Sequence, residues 1–296
     1  MRPAASSDHV TLSRGIAWVM LAVTLFVCMD TLAKHLTVHI PVLQIVWARY
    51  VFHLAAMIPV ILWVGPRRLL SSSHPWLQGG RALMLLAVTL LFNLGLRHLP
   101  LATVTAIGFA TPLVVTALAV PLLKEKVGPR RWAAVVVGFI GVLVVVRPAS
   151  DSFDLALLYP LAGSLANGCY QLATRKLAGR DHALTTIFWT GLGGALAVSP
   201  ITPFFWQAPG LEGWGLLALY GVLGFFSHYM LILAFRHANA SVLAPFTYAQ
   251  LVLAILSGVV FFDAVPDAWT ILGSLLICGS GLYVWYRQRQ VGAGRA

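Results

Sequence analysis

Seven polar side chains stand in stretches of this 296-residue chain that are otherwise apolar: Asn93, Thr111, Asn167, Gln171, His228, Tyr248 and Gln250. Amides, hydroxyls and a single imidazole donate and accept hydrogen bonds with little change of charge, so the chemistry they offer is recognition of a polar small molecule. Phe109 adds an aromatic face beside them, and Thr247 another hydroxyl. Catalytic patterns are missing. There is no Gly-x-x-x-x-Gly-Lys-Ser/Thr to cradle nucleotide phosphates, no His-Glu-x-x-His, no paired-cysteine motif and no Gly-x-Ser-x-Gly. His35 and His39 stand four apart without a third metal ligand. No metal, cofactor or enzymatic role is expected, and a membrane-embedded lipid-modifying enzyme would need acids or histidines clustered at one interface.

The charged residues among these stretches are the more demanding ones. Asp30 lies about 9 Å inside the end of the first apolar stretch at about 1.5 Å per residue, and Arg49 lies as far past the turn at His39-Ile40-Pro41. An unpaired Arg within a span costs about 2.5–3.5 kcal/mol on insertion scales. Two pairings are open: Asp30 with Arg49 across the hairpin, or Asp30 with Lys34 at i, i+4, Lys34 then reaching outward. Pro112, next to Thr111, and Pro245 each remove a backbone bond in mid-helix, either as a hinge or as a passive kink relieved by threonine hydroxyls. His228 reads either as a hydrogen-bonded structural residue or as a proton carrier.

The elements that must position these groups are membrane spans. The chain is 59% hydrophobic and 10% charged, with a mean hydropathy of +0.85, against about 25% charged residues in soluble domains. Ten stretches approach the roughly 20 apolar residues a span needs: 13–36, 42–64, 79–96, 102–123, 131–146, 155–174, 183–203, 214–235, 240–262 and 268–286. One segment is written twice, from Arg97 and from Arg236, each opening on Arg-His and ending on an acid, Glu125 or Asp263. In that register Phe109 matches Tyr248 and Thr111 matches Gln250; a second register matches Cys28 with Cys169, Lys34 with Arg175 and Asp30 with Gln171. Such duplication is read before anything else.

Charge orients the copies. The net charge is +11, and alternating sides hold sixteen Lys and Arg against three, with Arg49 inside a span. By the positive-inside rule both termini are cytoplasmic. The excess charge is an orientation signal, and no nucleic-acid partner is expected. Five spans per half turn the second copy over, so the fold expected is an all-α membrane protein of ten transmembrane helices in two inverted repeats, residues 1–148 and 149–296, joined by a hydrophilic turn at 149–154. Within it Ser164, Asn167, Gln171 and Thr174 form a stripe on one helical face, as do Thr247, Gln250 and Ser257. Gly191, Gly193 and Gly194 read as scaffold for close packing. The three cysteines lie within spans and suggest no disulfide framework.

In order and spacing, Met29-Asp30 with Lys34, Gln44-Ile45-Val46 with Arg49, Pro100-Leu101-Ala102, Thr111-Pro112, Glu125-Lys126-Val127 and Arg147-Pro148 resemble the ten-span EamA-type members of the drug/metabolite transporter superfamily. Ala244-Pro245-Phe246-Thr247-Tyr248 and Asp263 with Pro266-Asp267-Ala268-Trp269 continue the resemblance in the second half. Lys124 and Phe262 stand where that family usually has Gly before the acid, so a different turn is expected there. The resemblance implies an inner-membrane secondary transporter of small organic molecules with a cavity lined by spans 1, 3, 4, 6, 8 and 9. Relatives include amino-acid exporters, importers of S-adenosylmethionine and carriers of nucleotide sugars. With no ring of like charges visible, the substrate expected is net neutral: an amino acid, held by the polar residues above, with Phe109 and Tyr248 on its side chain. Asp30, Lys34, Arg49, Pro112 and Pro245 are assigned to bracing and gating. Monomer and homodimer are both open.

Overall fold

A computed structural model of the chain describes residues 5–123, 128–148, 153–177, 180–238 and 240–293. Glu125-Lys126-Val127 with Lys124, most of the turn joining the two halves, and Asn239 lie outside the described residues. Among those described, the regular elements are helical: α1 (Ala5–His39), α2 (Val42–Ala56), α3 (Ile58–Val64), α4 (Pro66–Leu70), α5 (Pro75–His98), α6 (Leu101–Gly108), α7 (Thr111–Leu123), α8 (Pro129–Val146), α9 (Leu158–Leu177), α10 (Ala183–Val198), α11 (Leu211–His237), α12 (Ala240–Thr247), α13 (Ala249–Phe262) and α14 (Ala268–Ala293). Proline opens several of them. Pro66, Pro75 and Pro129 occupy the first turns of α4, α5 and α8, where the missing N–H would have no helical partner anyway. The turn after α13 is made by the acid itself: Asp263 takes a left-handed conformation (φ 50°) and Ala264 N donates to the Gly258 carbonyl at 3.0 Å, closing the helix without a glycine.

Among the described residues six helices are long and apolar enough to cross a membrane, or seven if α2 and α3, bent by 44° at Met57, form one broken span. That is fewer than the ten spans read from the sequence. α10 and the apolar part of α8 are shorter, and α9 spends its length on the stripe Ser164, Asn167, Gln171 and Thr174 and on Arg175 and Lys176.

The packing repeats itself. α1 lies along α11 and α5 along α9; α2 packs on α11 and α10 on α5; α1 meets α13 and α9 meets α7. These three contacts recur with the halves exchanged. α8 and α14 pack directly on one another because Gly141 and Gly273 face across their crossing. A Cβ at Gly141 would come within 2.9 Å of the Gly273 carbonyl oxygen.

Polar clasps close the two ends. Gln44, fully buried on α2, donates to the Gln207 carbonyl at 2.9 Å and accepts from its N–H at 3.1 Å. The Ser71–His74 turn holds Asp181, which accepts from Ser73 N (3.0 Å), Ser73 Oγ (2.8 Å), Ser72 Oγ and Gln78 Nε2 (2.9 Å). Partial burial pushes that carboxyl up, but these hydrogen bonds outweigh it and hold it well below the usual range. Where α8 ends, Arg147 pairs with Asp267 at the start of α14 at 2.6 Å. Burial likewise raises the Asp267 carboxyl, yet hydrogen bonds from Thr270 and the Arg147 charge leave it lowered.

Candidate substrate site

Two broken helices build the centre. α6 passes to α7 through Phe109 and Ala110, and α12 to α13 through Tyr248, with i→i−3 bonds at each break: Ala110 N to Ile107 O (2.9 Å), Leu113 N to Ala110 O (2.9 Å) and Tyr248 N to Pro245 O (3.3 Å). Such tightened turns mark places where a helix bends easily. At the first break the cause is local, because Pro112 has no N–H for the Gly108 carbonyl and Thr111 Oγ1 takes that carbonyl instead at 2.7 Å. At the second, Thr247 Oγ1 bonds to Ala244 O at 2.7 Å. Here the expected kink at Pro245 is displaced: the helix breaks at Tyr248, three residues later. The breaks fall at matching positions of the duplicated segment even though the prolines do not.

The residues at the breaks meet. The rings of Phe109 and Tyr248 stack with centroids 5.0 Å apart and planes at 26°, and the Tyr248 hydroxyl lies against Gly281, where a Cβ would collide with it. Asn167 Nδ2 donates to Thr111 Oγ1 at 3.3 Å, and Ser164 Oγ to Ile107 O at 2.9 Å, so α9 turns its stripe toward this seam. Across it, Thr31 and Ser257 share a hydrogen bond of 2.6 Å, and Gln250 turns its amide to Asp30. Phe109, Thr111, Asn167, Tyr248, Gln250 and Asp30 thus gather around one seam. Other predicted site residues stand elsewhere. Gln171 is exposed. Asn93 is buried and locked to Thr89 O (2.7 Å) and the Tyr220 hydroxyl (3.0 Å), while His228 Nδ1 bonds to Gly224 O (3.0 Å) under the edge of Phe26.

Neither expected pairing of Asp30 forms. Lys34 Nζ donates to the Leu96 and Leu99 carbonyls at 2.7 and 2.9 Å, a cation closing the C-terminus of α5. Arg49 is within electrostatic reach of Asp30, but among the described residues the one ion pair is Arg147 with Asp267. Arg49 instead donates through Nη1 to Thr89, whose hydroxyl also meets Tyr50 at 3.0 Å.

Beyond Arg49 lies a group that the sequence reading missed. Arg81, counted there as a loop charge, is buried inside α5. Its Nε donates to Thr174 Oγ1 (2.7 Å), Nη1 to Thr190 Oγ1 (2.7 Å) and Thr186 O (3.2 Å), and Nη2 to the Tyr170 hydroxyl (2.7 Å), with the guanidinium over the Tyr170 ring. Arg49, Tyr50, His53, Arg81, Thr190 and His228 line one small cavity. The signal was available: Arg81 falls in the apolar window 79–96, and a charge inside a span is a functional candidate by default.

Apolar helices in this number, arranged as two interlocked copies around a polar centre, define a multi-pass membrane protein. The chain belongs to the EamA-like transporter family, whose profile matches residues 13–147 and again 154–286. Among curated proteins it is similar to an S-adenosylmethionine uptake transporter of Rickettsia prowazekii (26% identical, covering 95% of each chain). It also resembles a riboflavin transporter of Rhizobium johnstonii (27%, covering 91% of this chain and 90% of that one). A pseudopaline exporter of Pseudomonas aeruginosa is 26% identical over 90% of this chain and 94% of its own. A solved crystal structure superposes over 96% of this chain and 99% of its own, with a TM-score of 0.65 at 19% identity, and so shares the fold.

Proposed function

We propose that this chain is a secondary transporter, in an inner membrane, of a small organic metabolite that joins a planar ring to an amino-acid group, S-adenosylmethionine being the type. The observation that carries the reading is the Phe109–Tyr248 stack, two rings from matching places of the two copies meeting where both helices break. A flat heteroaromatic ring enters by parting them and stacking in their place. Asp30, faced by Gln250, supplies a negative charge for the ammonium or sulfonium, and Asn167 and Thr111 supply hydrogen bonds to the rest. The names of the relatives support the ring: S-adenosylmethionine and riboflavin both carry one. Amino acids, the class expected from the sequence, share the amino-acid group but, unless aromatic, lack the ring.

Transport follows from inverted ten-span repeats with both termini cytoplasmic, rocking at Phe109 and Tyr248 to open the seam to each side in turn. Removing Arg81 from the loop charges lowers sixteen to fifteen against three, which leaves the orientation argument intact. The test is uptake of labelled S-adenosylmethionine into proteoliposomes, competed by riboflavin and by tyrosine. Phe109→Ala and Tyr248→Ala each reduce uptake about tenfold, the effect of losing about 1.4 kcal/mol of ring contact. The reading is overturned if no ring-bearing solute is carried, or if both alanine variants carry it as well as the parent.

A further inference from the structure

The small cavity between α2, α5, α10 and α11 is opposite in charge to the seam and stands apart from it. Arg49 and Arg81 both line it, 8% and 4% exposed, together with His53, Thr190 and His228. A guanidinium stays protonated in a protein, so two positive charges are held inside the bundle. The carboxylate within electrostatic reach of Arg49 is Asp30. It can neutralise at most one of the two, which leaves at least one positive charge in excess.

Two further observations point to what is missing. His53 Nε2 is buried and has no hydrogen-bond partner, on a side chain only 6% exposed that lines the cavity. Arg49 donates through Nη1 to Thr89, whereas Arg81 spends its donors on Thr174, Thr186, Thr190 and Tyr170. Two guanidinium charges and the Nε2 of His53 converge on this cavity, with no carboxylate among its lining residues. Size then selects the ligand. The cavity measures about 20 Å³. A water needs about 10–15 Å³, so one body of water size or slightly larger fits.

We propose that this cavity is a binding site for one halide-sized monovalent anion, chloride being the abundant one, held by Arg49, Arg81 and the Nε2–H of His53. The ion neutralises the buried excess charge and ties α2 to α5, whose Arg81 already bonds Thr190 of α10. Protein dialysed into sodium gluconate and titrated with sodium chloride or bromide at constant ionic strength tests it, followed by the unfolding temperature and by the chlorine NMR linewidth. Chloride and bromide raise the unfolding temperature saturably, gluconate and sulfate do not, and bromide displaces the broadened chloride signal. Arg81→Gln weakens the halide about tenfold, as loss of a charged hydrogen-bond donor does. His53→Phe, which keeps the ring volume, weakens it by a smaller factor and carries the test should Arg81→Gln fail to accumulate. Equal responses to chloride and gluconate overturn the proposal, as does a halide response in His53→Phe identical to that of the parent. Neither readout involves a transported solute, so this proposal and the transport reading fail separately.

Discussion

α2 and α10 hold the same place in the two copies, yet one carries Arg49, Tyr50 and His53 where the other has Thr190, Gly191 and Gly194, in the register that matches Cys28 with Cys169. The two helices pack on each other and their contacts cross. The ring of Tyr50 covers Gly194, the counterpart of His53, and the ring of His53 covers Gly191, the counterpart of Tyr50, at 3.0 Å from where a Cβ would stand. The third helices repeat the exchange. Arg81, which the Arg97 and Arg236 register matches with Tyr220, bonds Thr190, while Tyr220 lies within reach of Arg49. Duplication supplies equivalent places, and a polar pocket arises only where the copies depart from each other. A large side chain on one copy needs a glycine on the other, because interiors have no spare volume.

The sharpest way to break this complementarity is to fill the glycine. Gly194→Ala sets a Cβ into the fully enclosed Tyr50 ring, whose hydroxyl is tied to Thr89 and cannot swing away. A loss of about 1–3 kcal/mol is expected, typical of overpacking, read as a lower unfolding temperature; an unchanged one would show that the ring has room to move. Lys34→Met tests the other asymmetry, a cation turned inward onto the α5 carbonyls while its counterpart Arg175 is exposed. It costs about 1–2 kcal/mol as charge-assisted bonds are lost, and amide exchange speeds up at Leu99, whose N–H bonds the Gly95 carbonyl at the same helix end.

The smallest effect compares the two end clasps, one charged at Asp181 and one neutral at Gln44. The folded Asp181 carboxyl is held below its unfolded value, so its contribution is complete above the unfolded pKa of about 3.9 and is lost as pH falls through the folded value. Asp181→Asn is therefore expected to cost about 1 kcal/mol at pH 7, reduced by solvent access. The difference from the parent shrinks as the pH is taken below about 4. Gln44→Ala, at the neutral clasp, shows no such trend. A constant difference between Asp181→Asn and the parent across that range would mean that the serine turn does not hold a charged carboxylate.

The seam was largely legible in the sequence. The duplicated segment already matched Phe109 with Tyr248, and those rings stack; the stripe on α9 named Asn167 and Ser164, and both bond across to the broken helix. The pairing of charges was not legible. Equal depth on adjacent helices suggested Asp30 with Arg49, but depth says nothing of rotation about each helix axis, and Arg49 turns to Thr89 while Lys34 turns to α5. Arg81 was passed over because its nearness to a span end resembled a loop charge, although every partner it has lies about a hundred residues away on α9 and α10.

By itself the sequence determined that the chain lies in a membrane, that it is a helical unit used twice, and that one helix weakens beside Pro112, since hydropathy, repetition and proline act locally. Tertiary structure alone decided which polar groups meet. Hydrogen bonds and charge compensation depend on distances of a few ångströms between helices remote in the chain, and an apolar period records only which face is buried, never what it is buried against.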